Sequence, residues 1–207
     1  MTAERIISAA RAEIGVKESP ANSNCVKYNT AYYGREVSGN NYPWCCAFIW
    51  WVFHSVGADD LFFGGKKTAY CPAVETYYRK KGQWFSDPKA GDLALFDFSG
   101  KGVASHIGIV ASVNADGSIT TVEGNTALTN DDNGGAVMLR IRKRSAVRGF
   151  ARPAYEDNDG TVDNLLADGI ITADNAANWR AFLSGSAIPK PEYIRALLDR
   201  YHKKLRG

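Results

Sequence analysis

No apolar run approaches the roughly 18 residues needed to cross a bilayer, so stable membrane insertion is not expected. Charge of one sign is also scarce. A formal net charge of +3 is too small to mark a nucleic-acid-binding protein, although it does not oppose approach to an anionic polymer. The four cysteines (Cys25, Cys45, Cys46, Cys71) contain no CxxC pair. Cys45 and Cys46 are adjacent, an awkward arrangement for chelating one tetrahedral ion, and His54, His106 and His202 are far apart, so no zinc module or other metal site is expected. The start, Met-Thr-Ala-Glu-Arg, lacks the basic and apolar regions of a secretory signal. Synthesis in the cytoplasm without a disulfide framework is therefore expected. Internal repeats and low-complexity segments are missing, which excludes solenoids and collagen-like chains.

What is present fits a globular chain with a real core: 207 residues, 45% hydrophobic and 23% charged. Aromatic residues reach 12%, enough to suggest a surface that packs on sugar-like or flat ligands. Thr2 opens an amphipathic helix bearing Ile6, Ala10 and Ile14, with Gly15 past its end. Residues 16–41, rich in Asn, Ser, Tyr and Gly, read as a long surface segment. After Pro43 the run Trp44 to Phe53, closed by Gly57, suits a buried helix, and Pro72 to Gly82 suits another. The period then becomes that of strands: Leu93 to Phe98, His106 to Val113, a turn at Asn114 to Gly117, Ile119 to Glu123, and Val137 to Lys143. Helices followed by contiguous strands predict an α+β fold with an antiparallel sheet.

Composition shifts after Tyr155. A polar stretch from Glu156 to Gly160 precedes three helical segments, near Val162–Leu166, from Thr172 to Gly185, and from Pro191 onward. The expected organisation is one domain over 1–155 and a small three-helix module over 156–207, a candidate for binding a polymer.

Cys45, at the first turn of a buried helix, stands where unpaired N–H groups and the helix dipole favour a thiolate. Cys46 projects about 100° further round. His106 opens a strand, from which its imidazole can serve as general base. Just past the next turn, Glu123 and Asn125 are each placed to accept the imidazole N–H and fix its tautomer. His54 lies nine residues beyond Cys45 on one helix, about 13 Å along the axis, and cannot serve that thiol. The basic residues Arg140, Arg142, Lys143, Arg144 and Arg148 read as a solvated strand face. Trp50 and Trp51 read as core.

The block Trp44-Cys45-Cys46-Ala47-Phe48-Ile49-Trp50-Trp51 resembles the W-C-A-A-F-V-x-W block of the CHAP family of cysteine- and histidine-dependent amidohydrolases/peptidases. Gly91-Asp92-Leu93, Ser105-His106-Ile107-Gly108-Ile109-Val110 and Glu123-Gly124-Asn125 resemble further blocks of that family, in family order. The resemblance covers residues 1 to about 152 and leaves out the helical tail. It implies a papain-like α+β domain in which Cys45 is the nucleophile, His106 the base, Glu123 the residue orienting the imidazole and Asn125 the polar group beside it. Cys46 stands where small Ala is usual. Cys45 is chosen over it because it directly follows Trp44 and precedes Phe48 by three residues.

The resemblance further implies a peptidoglycan hydrolase of phage endolysin type, acting on the bacterial cell wall as N-acetylmuramoyl-L-alanine amidase or as stem or cross-bridge endopeptidase. No cofactor is implied, and no D-x-D-x-D-G run supports calcium. Such an enzyme waits in the host cytoplasm and reaches the wall after release, with holin-dependent access. Trp44 and Tyr42 are expected on the groove wall that meets substrate. Two other readings compete: a wall-binding module without turnover, and a cysteine peptidase acting on proteins. Release of wall fragments separates the first, and comparison with casein the second.

Overall fold

The computed structural model describes residues 1–131, 133–155, 165–167, 169–173, 175–176, 178–179 and 191–205. The chain divides into two compact units, one over residues 3–155 and one over 156–207. The first unit is α+β, with four helices and a six-stranded antiparallel sheet.

Helix α1 (Ala3–Ala12) buries Ile6 and Ala10, spaced four apart on one face. Ile14, expected on that stripe, lies beyond the helix end and is exposed. The segment 16–41 is more than surface: it contains α2 (Lys27–Tyr33), which fully buries Tyr28 and Asn29 and stops at Gly34 in the left-handed conformation. Helix α3 (Cys45–Ser55) buries eight of its eleven residues. The transfer of Phe48, Ile49 and Phe53 from water stabilises the fold by about 1.5–3 kcal/mol each. Helix α4 (Cys71–Lys80) carries Pro72 in its first turn and buries Cys71, Val74 and Tyr78.

The strands are β1 (Trp84–Phe85), β2 (Leu93–Phe96), β3 (His106–Val113), β4 (Ile119–Thr126), β5 (Ala136–Arg142) and β6 (Val147–Ala151), in the spatial order β1-β6-β2-β3-β4-β5. The sequence pattern reaches β2 to β5 but not β1, which has two residues, nor β6, which inserts between β1 and β2. A tight turn joins β3 to β4, with Gly117 at positive φ and the Asn114 N–H bonded to the Ser118 carbonyl. Residues of β2, β3 and β4 alternate between two cores. Leu93, Leu95, Ile107, Ile109 and Val122 join the helices, while Ala94, Phe96, Val110, Ile119 and Phe150 form a smaller cluster on the opposite face.

In the second unit, Ile171, Ala176 and Trp179 form a small core against which Leu165, Leu166, Tyr193 and Leu197 pack. Helix α5 (Pro191–Leu205) exposes Ile194, Leu198 and Tyr201. The expected linker 156–160, the residues 162–164, and Phe182, Leu183 and Gly185 lie outside the described residues. Among the described residues, no helix is long and apolar enough to cross a membrane.

Candidate active site

Cys45 is the first residue of α3, and Trp44 before it has no side-chain oxygen to cap the helix. The first-turn N–H groups therefore keep their positive end at the thiol. Cys71 is likewise the first residue of α4, so two helix starts converge on the same sulfurs. Cys71 Sγ lies 3.7 Å from Cys45 Sγ and 3.3 Å from Cys46 Sγ.

His106 opens β3 and is fully buried, as is Glu123 on β4. The β3–β4 register pairs Ile109 with Val122. One residue further on, Gly108 faces Glu123, and a Cβ on Gly108 would come within 2.5 Å of Glu123 Cγ. The missing side chain is what lets the carboxylate lie across β3 to His106, whose Nε2 is 3.1 Å from Glu123 Oε2. Gly124 points the other way, and a Cβ there would meet Phe48 at 2.6 Å and Trp44 at 2.7 Å. Close approach of α3 to β4 thus depends on Gly124, while Glu123 on its other side holds the imidazole.

Glu123 is held by more than His106. Arg142 on β5 donates from Nε to Oε1 at 2.8 Å and from Nη2 to Oε2 at 2.5 Å, and the Thr121 hydroxyl donates to Oε1 at 2.5 Å. Arg142 also bonds Asp131, across the β4–β5 connection. Burial alone would raise the Glu123 pKa, but Arg142 and His106 outweigh it and bring it down to about 2. Burial disfavours imidazolium, yet hydrogen bonding and charge from Cys45 and Glu123 prevail and push His106 up to about 9. The Cys45 thiol is held well below its usual range by hydrogen bonds with Cys46 and Cys71, against burial, and by His106. Cys46 and Cys71 are pushed up, chiefly by their hydrogen bonds with the Cys45 sulfur. The site therefore favours one thiolate, on Cys45, facing one imidazolium. Glu123 takes Nε2, which leaves buried Nδ1, without a partner at hydrogen-bond distance, as the ring nitrogen available to the Cys45 sulfur.

Cys45, His106 and Glu123 are thus brought together. Asn125, two residues past Glu123, is fully buried at φ 59, a left-handed conformation that Asn tolerates. Its amide donates to Asn133 Oδ1 at 3.3 Å, and its own Oδ1 is buried without a partner, so no hydrogen bond to the imidazole forms. Trp44, expected on the groove wall, is instead fully buried: it stacks on Tyr28 and its indole N–H donates to Glu18 at 2.8 Å. An indole so enclosed presents no face to a substrate. Tyr42 keeps partial exposure and packs edge-on against exposed Tyr33.

The solvated basic face expected along β5 and β6 is found at Lys143 and Arg144, which are exposed, and is corrected at Arg140, Arg142 and Arg148. Arg142 is buried on Glu123, Arg140 pairs with Asp131, Arg148 with Glu75, and Arg144 with the Ser86 carbonyl. Arg142 and Cys71 are the residues that sequence reading missed. Arg142 had a faint signal, two positions from Arg140 on a strand next to Glu123's, whereas nothing in the spacing points to Cys71.

Residues 37–125 match the family model of the CHAP domain. That segment, which contains Cys45, His106, Glu123 and Asn125, belongs to the CHAP domain family. No curated protein matches the chain. Among solved structures, the chain is similar to a wild type endolysin, LysIME-EF1, at 16% identity over 75% of this chain and 66% of that one, with a TM-score of 0.45. It is also similar to Ly7917, at 14% identity over 74% and 62%, with a TM-score of 0.46. The chain spans less than two thirds of either protein's length, and likeness of this degree fixes neither fold nor activity.

Proposed function

We propose that the protein is a peptidoglycan hydrolase of endolysin type that cleaves an amide bond of the bacterial cell wall through a Cys45 thioester. The observation that carries this reading is the buried array Cys45, His106, Glu123 and Arg142 within a CHAP domain. An imidazole fixed on one side by an ionised carboxylate and coupled on the other to a thiol is the arrangement needed for nucleophilic acyl transfer.

In this mechanism the Cys45 thiolate attacks the amide carbonyl. The Cys45 backbone N–H, at the uncapped start of α3, donates to the developing oxyanion. Collapse of the tetrahedral intermediate breaks the C–N bond, and His106 gives its proton to the departing amine. His106, now neutral, takes a proton from water, which adds to the thioester carbon. The carboxylic acid leaves, and the proton on His106 re-forms the ion pair with Cys45. Glu123 keeps the ring oriented and stabilises its charge throughout, and Arg142 keeps Glu123 ionised. Tyr42, with Tyr33, offers aromatic faces for sugar or stem-peptide carbons. The second unit, 156–207, serves in this reading to hold the wall, and access to it follows holin action.

The test is loss of turbidity of Gram-positive cell-wall suspensions with wild type, Cys45→Ala, Cys46→Ala and His106→Ala, followed by mass spectrometry of the fragments. Clearing by wild type and Cys46→Ala alone is expected, and the fragments name the muramoyl–alanine, stem or cross-bridge bond. Wall binding without release by all four variants would sink the proposal in favour of a binding module. Deletion of 156–207 should leave turnover of soluble fragments intact and weaken retention on walls; unchanged retention would remove the role given to that unit.

A further inference from the structure

The mechanism uses one of three clustered thiols. Cys46 and Cys71 are buried beside it and hold its thiolate by hydrogen bonds, but no bond of the hydrolysis is made or broken on them. The sulfurs of Cys45, Cys46 and Cys71 all lie within 4.8 Å of one another, with Cys71 at 3.7 Å and 3.3 Å from the other two. Thiolates about 2.3 Å from a tetrahedral zinc ion lie about 3.8 Å apart, so these sulfurs already occupy nearly one face of such a tetrahedron. The three residues stand in the first turns of α3 and α4, where helix dipoles help to hold negative charge on sulfur once a cation has displaced the thiol protons. Cys71, 25 residues from Cys46, removes the obstacle that adjacency of Cys45 and Cys46 alone would present. Cys45 and Cys71 each retain 5% exposure, whereas Cys46 is fully enclosed.

We propose that Cys45, Cys46 and Cys71 form a three-thiolate site for a thiophilic divalent cation of the size of Zn2+, which reversibly blocks the nucleophile. Three metal–sulfur bonds form as Cys46 and Cys71 release their protons to solvent; Cys45 enters as the thiolate, and no electron is transferred. The ion is an inhibitor in this scheme, because it occupies the Cys45 sulfur that the hydrolysis needs. That consequence rests on the proposed function, whereas the binding itself does not.

The experiment is titration of metal-free, full-length protein with Co2+ in the presence of a phosphine reductant. A thiolate-to-cobalt charge-transfer band saturating at one equivalent, and abolished by one equivalent of Zn2+, is expected. Cys71→Ser and Cys46→Ala should each weaken Co2+ binding by about tenfold or more, while Cys25→Ser leaves the band unchanged. No band in wild type, or a band lost only in Cys25→Ser, overturns the site. In parallel, Zn2+ should suppress wall clearing and EDTA restore it; a saturating band with clearing unaffected by Zn2+ would overturn the inhibitory role. A protein that shows the band yet clears no wall under any metal-free condition refutes the hydrolase reading and leaves the metal site standing.

Discussion

Two histidine–carboxylate pairs occur among the described residues, and they differ in the opposite sense from what contact distance alone would suggest. His54 Nδ1 meets Asp59 Oδ1 at 2.7 Å at the last turn of α3, with the side chains 56% and 39% exposed. His106 Nε2 meets Glu123 at the longer distance of 3.1 Å, and both side chains are fully buried. Water screens the first pair and competes for its hydrogen bond, so the shorter contact has little to act on. In the second, the absence of water makes every charge count: Arg142 keeps Glu123 ionised, Glu123 favours imidazolium, and the imidazolium favours the Cys45 thiolate. What separates the buried histidine from the surface one here is enclosure together with a third and fourth charged partner.

The sharpest way to break this contrast is to remove each imidazole. His106→Ala should lower wall clearing by about a thousandfold or more, since it removes both the thiol's activating partner and the acid for the leaving amine. His54→Ala should stay within about twofold. Comparable losses in the two variants, read as initial rates of turbidity decrease, would show that the buried pair has no special role.

Next in size is the guanidinium behind the carboxylate. Arg142→Met leaves Glu123 buried without its main counter-charge, and breaking a buried pair in this way costs about 3–5 kcal/mol. Urea unfolding at neutral pH should show that loss. A change below about 1 kcal/mol would mean that water reaches Glu123 and that enclosure is not what sets the two pairs apart.

Glu123→Gln tests the electrostatics directly. The carboxylate favours the charged imidazole, so its removal lowers the His106 pKa from about 9. In the proposed mechanism turnover needs thiolate and imidazolium together, so in wild type it should fall as pH rises through about 9. In Glu123→Gln that alkaline limb should move to lower pH, with a loss of about 10- to 100-fold at neutral pH. The acid limb of wild type, set by protonation of Cys45, should lie well below the ordinary thiol range. An alkaline limb that does not move would assign it to a group other than His106.

Much of this site is legible in sequence, for identifiable reasons. His106 and Glu123 sit on strands with clear period-2 patterning joined by a recognisable turn, so their proximity follows from register. Cys45 is marked by its place at the start of an apolar helix. Arg142 is hidden because alternating arginines on a strand look alike whether they face water or a buried acid. Only the three-dimensional course of β5 beside β4 tells them apart. Cys71 is invisible for a different reason: two helix starts meet through tertiary packing, and no local spacing encodes that meeting. Trp44 is misleading in sequence because an aromatic residue beside a candidate nucleophile suits a groove wall and a core equally well. What decides is its indole bond to Glu18, 26 residues away.

The smallest expected effect completes the comparison. Asp59→Asn removes the charge from the exposed pair while keeping the side chain's shape. An exposed ion pair contributes about 0.2–1 kcal/mol, so the shift in urea midpoint should be slight. Clearing rate should change by less than about twofold, because His54 sits nine residues, about 13 Å, along α3 from Cys45. Asp59 acts from beside His54, with solvent available to screen it at the exposed end of the helix. A loss of more than about threefold, with stability unchanged, would mean that the C-terminal end of α3 communicates with its N-terminal thiol, and enclosure alone would no longer explain why His106 differs from His54.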